Sequence, residues 1–126
     1  MQFTAQHVSH TIENDILIIA FADSHKPDPD NYLILQREVD DLDFYDYEVN
    51  RREYSGNGGI ARAVIAPTQL VLHFRADQKI RQDGITTLTI NHAADAQLAH
   101  HLHYLLTEAD CDVQLLAPAS RQPETE

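Results

Sequence analysis

Tryptophan is missing from this chain of 126 residues, and cysteine occurs once, at Cys111. A single thiol forms no internal disulfide, which fits a reducing cytoplasm. Positive charge is scarce: nine Lys and Arg stand against 20 Asp and Glu, a formal net charge of −11. Nucleic-acid binding relies on cationic side chains neutralising phosphates. This balance therefore argues against a nucleic-acid partner and against an anionic membrane surface. It favours cations, basic proteins or a small ligand in a local pocket. Acidity that only aids solubility is the competing reading. Long apolar runs are also lacking. The longest, 16–22, has seven residues, against the ~20 that a membrane-spanning helix needs. The opening MQFTAQHVSH has no basic segment leading into an apolar one, so no secretion signal is read there.

Apolar residues make up 43% and charged residues 23% of the chain, ordinary values for one globular domain with one core. We read 1–116 as a single α+β domain. The segment 117–126, APASRQPETE, is read as a disordered acidic tail with little to bury.

Most of the pattern is strand-like. Residues 3–12 alternate loosely, 13–15 read as a turn and 16–22 as a buried strand, together a hairpin. The stretch 23–31, DSHKPDPDN, is a surface loop. Strands are expected over 32–38, 45–54, 60–66, 70–75 and 85–91. In 45–54, Tyr45, Tyr47 and Val49 face one way, while Asp46, Glu48 and Asn50 face the other. Residues 76–84 form a connection with a helical turn. From Asp95 to Ala109 the period becomes helical, with Leu98, Leu102, Leu105, Leu106 and Ala109 on one stripe. The expected fold is α+β: a mainly antiparallel sheet of six to seven strands with one C-terminal helix packed on one face.

Four stretches invite a functional reading. Gly56-Asn57-Gly58-Gly59 lacks the Lys-Ser or Lys-Thr pair of a P-loop, and a strand follows instead of a helix. It reads as a flexible hairpin link. His100 and His103 lie three apart opposite the Leu stripe, with His92 before the helix. They are the candidate metal ligands of a small metal-binding or metal-sensing domain, against the plainer reading of exposed histidines. Asp40, Asp41, Asp43, Asp46 and Glu48 crowd one region, but exposed carboxylates make poor general acids. Cys111, between Asp110 and Asp112, is badly placed for a thiolate. No enzyme activity and no cofactor are read from these residues. The same acids, joined by Asn50 and Tyr54, make a credible surface for a protein partner, because charge speeds encounter and aromatic rings anchor it. Arg37 and Arg62 are candidate structural partners of the acids.

The order YLILQRE, an acidic link, DYEVN, NGGI, LVLHF and LTINH before a Leu-patterned helix resembles the immunity protein 10 family of bacterial polymorphic toxin systems. The likeness covers roughly residues 32–106, with LQR (35–37), YEVN (47–50) and GGI (58–60) its most specific pieces. It implies a cytoplasmic protein that is not an enzyme, takes no cofactor, and neutralises a cognate toxin by occlusion. The acidity suits a basic toxin. On this reading Asp43, Asp46, Glu48, Asn50 and Tyr54 are the contact residues, and the protein is a monomer or a homodimer.

Overall fold

Asn14 and Asp15 both adopt positive φ, 53° and 64°, the conformation of a two-residue hairpin turn. They join β2 (His7–Glu13) to β3 (Ile16–Ala22) in antiparallel register, Glu13 opposite Ile16. This is the expected hairpin with a shorter first arm, because residues 2–4 form a separate strand that pairs elsewhere. The computed structural model describes residues 1–40, 45–107 and 111–116, so the expected tail over 117–126 lies outside the described residues. Strand β4 (Tyr32–Glu38) runs back along β3 and carries β5 (Asp46–Val49) on its far side.

The expected long strand over 45–54 is instead a bent pair. Asn50 takes φ 61° and turns the chain into β6 (Arg51–Asn57), antiparallel to β5. Short polar Asn tolerates this left-handed backbone better than most residues. Its side chain stabilises the turn: the Tyr32 backbone N–H donates to Asn50 Oδ1 at 2.8 Å, and Asn50 Nδ2 donates to Asn31 Oδ1 at 3.0 Å.

The single expected sheet is in fact two, each of five strands among the described residues. One has the order β2-β3-β4-β5-β6. The other has the order β1-β9-β8-β7-β10, built from β1 (Gln2–Thr4), β7 (Ile60–Ala66), β8 (Gln69–Phe74), β9 (Thr87–Asn91) and β10 (Asp112–Leu115). Its central strands are antiparallel, and both edges, β1 on β9 and β10 on β7, are parallel. Each strand's alternation buries one face. Leu17, Ile19, Phe21, Leu33, Leu35, Tyr47 and Val49 of the first sheet and Ile60, Ala63, Ile65, Leu70, Leu72, Phe74, Leu88 and Ile90 of the second form one core. A ring contact crosses between the sheets, Tyr47 to Phe74 at 5.4 Å, and Phe21 meets His92, just past the end of β9, at 5.9 Å.

The glycine stretch carries the chain from one sheet to the other, so it is not a link between hairpin neighbours. Gly58 and Gly59 have φ of 76° and 94°, where a side chain is strained. A Cβ on Gly59 would lie 2.3 Å from Gln78 Oε1, the atom that accepts the Tyr47 hydroxyl at 2.6 Å. The glycines make room for a side chain of the protein itself.

A short helix, α1 (Lys79–Gln82), buries Ile80. The main helix, α2 (Ala96–Leu106), is capped by Asp95, whose side chain accepts from the N–H groups of Gln97 and Leu98. Leu98, Leu102, Leu105 and Leu106 are all buried, as the stripe requires, and Ala109 lies outside the described residues. The helix position differs from the expected one. It contacts β3 and β4 of one sheet and β7 and β10 of the other, and β10 follows it in the chain. Its far end is held by Arg37, whose Nη1 donates to the carbonyls of Tyr104, Leu105 and Thr107 at 2.8, 3.0 and 3.1 Å. Arg37 therefore caps a helix C-terminus, a role that the sequence did not suggest. Arg62 pairs elsewhere, donating to Gln114 Oε1 at 2.9 Å across the β7–β10 edge.

Candidate functional site

The inner face of the first sheet is spent on the core, which leaves its outer face to meet solvent. Two cross-strand rows can be read from the registers there. Ile18, Gln36, Asp46 and Asn57 form one, and Ala20, Ile34, Glu48 and Ser55 the other. Ile18, Ala20 and Ile34 stay half exposed. The acidic end of these rows is a shallow depression of about 480 Å³ that includes Asp46, Glu48 and Asn57. The loop 23–31 walls a neighbouring depression of about 510 Å³ over Ala20 and Ile34. An apolar middle with a polar border is the usual anatomy of a protein-docking patch.

The structure treats the expected contact residues unequally. Asp46 is exposed and accepts a 2.9 Å hydrogen bond from Asn57 Nδ2, which leaves its second oxygen for a partner. Glu48 is half-buried and accepts from the Tyr32 hydroxyl. Burial first, and then the Glu48 hydrogen bond, push that hydroxyl up to about 12, so it stays protonated and donating. Asn50 belongs to the turn and is withdrawn from the patch. Tyr54 also turns elsewhere: its hydroxyl donates to Asp83 Oδ2 at 2.9 Å and its ring lies under the Arg51 guanidinium. The cause is the register shift in the β5–β6 pair, from Val49 opposite Arg51 to Glu48 opposite Ser55. Asp41 and Asp43 lie outside the described residues. Gln36, Ser55 and Asn57 were not expected at the patch. The alternation of β4 points Gln36 outward, whereas Ser55 and Asn57 reach the patch only because the strand over 45–54 folds back at Asn50.

The histidines divide differently from the sequence expectation. His92 is buried and its Nδ1 meets the Ala93 carbonyl at 2.8 Å. His100 borders an apolar depression of about 320 Å³ with Leu115 and Leu116. His103 reaches Thr107 Oγ1 at 3.3 Å. These three do not converge, and among the described residues no group of three His, Cys, Asp or Glu is placed to hold a metal ion.

An array that the sequence did not suggest links β2 to α2. Asp95 Oδ2 meets His10 Nε2 at 3.0 Å, and His10 Nδ1 meets His101 Nδ1 at 2.8 Å. The carboxylate takes the Nε2–H of His10, so the neutral ring accepts at Nδ1 from His101 Nδ1–H. The His10 hydrogen bond and the two cap bonds hold the Asp95 carboxyl below its ordinary range. Burial, followed by the neighbouring His10, lowers His101. A histidine whose folded pKa is depressed binds its proton more readily when unfolded. Stability then falls as pH drops below the unfolded value of 6.5. We expect the melting temperature to fall between pH 7 and pH 5, and His101→Gln to flatten that slope. An equal slope in the variant would remove His101 as its cause.

Among the described residues no helix is long and apolar enough to cross a membrane. Neither a known family model nor a curated protein matches the chain.

Proposed function

We propose that this is an immunity-type binding protein that docks a basic protein toxin on the outer face of its first sheet and neutralises it by occlusion in the cytoplasm. The observation that carries the reading is the pairing of Asp46 and Glu48 with the half-exposed Ile18, Ala20 and Ile34 on one open sheet face. The carboxylates attract a cationic partner over a distance, and the apolar strip supplies contact area once it arrives. The net charge of −11 adds a long-range field of the same sign. The motif order, which resembles that of the immunity protein 10 family, points the same way.

The test is co-expression with the toxic domain encoded by the adjacent reading frame, followed by binding kinetics. Wild-type protein should form a complex and restore growth. Asp46→Lys combined with Glu48→Lys should slow association about tenfold at low salt and leave the fold intact. Equal association rates at low salt, or a neighbouring frame without any toxic domain, would overturn the reading.

A further inference from the structure

Among the described residues four strands end the two sheets: β1, β10, β2 and β6. Strand β1 has three residues and β10 has four. Strand β6 carries Arg51, Arg52 and Glu53 and the register shift, features that discourage pairing at an edge. Strand β2 is different. It runs for seven residues, HVSHTIE, with no Pro, Lys, Arg or Gly, and Glu13 is its one acid. Its penultimate residue, Ile12, is 57% exposed.

The hydrogen-bond phase of β2 follows from the turn. Val39 N–H donates to Asp15 O, so alternate residues of β3 starting at Leu17 bond to β4. Those starting at Ile16 bond to β2. The partners of the latter are Glu13, Thr11, Ser9 and His7. The N–H and C=O groups of Val8, His10 and Ile12 therefore point to the open edge.

We propose that a second copy of this chain pairs with that edge, β2 antiparallel to β2 about a two-fold axis at His10. The choice of partner rests on the self-complementarity of the strand. Reading outward from His10 in this register, Ser9 faces Thr11 of the second copy, Val8 faces Ile12, and His7 faces Glu13. Two hydroxyls meet, two apolar side chains meet, and a base meets an acid, each twice by symmetry. The register also places the backbone groups of Val8, His10 and Ile12 opposite one another, as the phase requires. Val8 of one copy covers the exposed Ile12 of the other. The first sheets join into a single ten-stranded sheet, and the face bearing Asp46 and Glu48, three strands away, stays open. Mutual repulsion between two chains of charge −11 weakens the pair at low salt.

Sedimentation equilibrium on the full chain tests this, in high and low salt. The wild type should move toward twice the 14.3 kDa chain mass as concentration and salt rise. Ile12→Lys, at an exposed position, should stay folded and be monomeric. His7→Glu, which sets one carboxylate against another at both ends of the paired strands, should weaken the dimer about tenfold. His7→Glu combined with Glu13→Lys should restore it. A wild type that stays monomeric at its highest soluble concentration overturns the proposal. So does a dimer indifferent to Ile12→Lys, or a double variant that fails to recover.

Discussion

Replacing Leu102 with Asp is expected to unfold the protein. Leu102 is fully buried in the middle of the α2 stripe, in a helix that meets strands of both sheets. Truncation to Ala removes packing and leaves a cavity, at a cost of about 3 kcal/mol. An Asp adds the desolvation of a carboxylate among leucines. Domains of this size are stable by only about 5–15 kcal/mol, so the combined loss is comparable with the whole margin. Circular dichroism should show no cooperative melt for Leu102→Asp and a lowered, still cooperative melt for Leu102→Ala. Two-sheet contact makes the effect larger than for a helix lying on one face, because losing α2 also uncovers the second sheet. A melt of Leu102→Asp at the wild-type temperature would show that this stripe does not hold the core.

Arg37→Met is the second large effect. Arg37 is 3% exposed, and one of its nitrogens serves three carbonyls at the end of α2. Carbonyls at a helix C-terminus have no partner within the helix. The guanidinium also meets the negative end of the helix dipole and lies 5.3 Å from the Tyr104 ring centre. Tyr104 adds a hydrogen bond from its hydroxyl to the Val39 carbonyl, so the same corner ties β4 to α2 twice. Met matches much of the side-chain volume and removes the charge, leaving the carbonyls dry. We expect a loss of about 3 kcal/mol and a melting temperature lower by roughly 10 °C. Arg37→Lys should recover part of this, since an ammonium keeps the charge without the planar fork. An unchanged melting temperature for Arg37→Met would show that water replaces the guanidinium at no cost.

Arg37 also illustrates how far the sequence could be read. Alternation marks it as an inward position, on the same face of β4 as Leu33 and Leu35, and an inward Arg asks for acceptors. The nearby acids were the obvious choice. The acceptors of its Nη1 lie 67 to 70 residues further along, on the backbone at the end of α2, and a backbone carbonyl leaves no mark in composition. The candidate patch behaved similarly. The outward direction of Asp46 and Glu48 was legible from the period of two, and the Leu stripe from the helical period. The directions of Asn50 and Tyr54 were not legible, because a left-handed turn at Asn50 interrupts what reads as one alternating strand. The array of Asp95, His10 and His101 was not legible at all, since it joins residues 85 and 91 positions apart.

The sequence alone determined what is decided within a few residues: strand or helix period, the Asn14-Asp15 turn, the inward face of each element and the excess of negative charge. Backbone sterics and side-chain direction set these over short windows. Only the tertiary structure decided that the strands divide between two sheets, that β1 and β10 join the second sheet in parallel, and that α2 touches both. Those choices depend on which apolar faces can cover one another across the whole chain, and each pairing brings together residues whose separation in sequence carries no local trace.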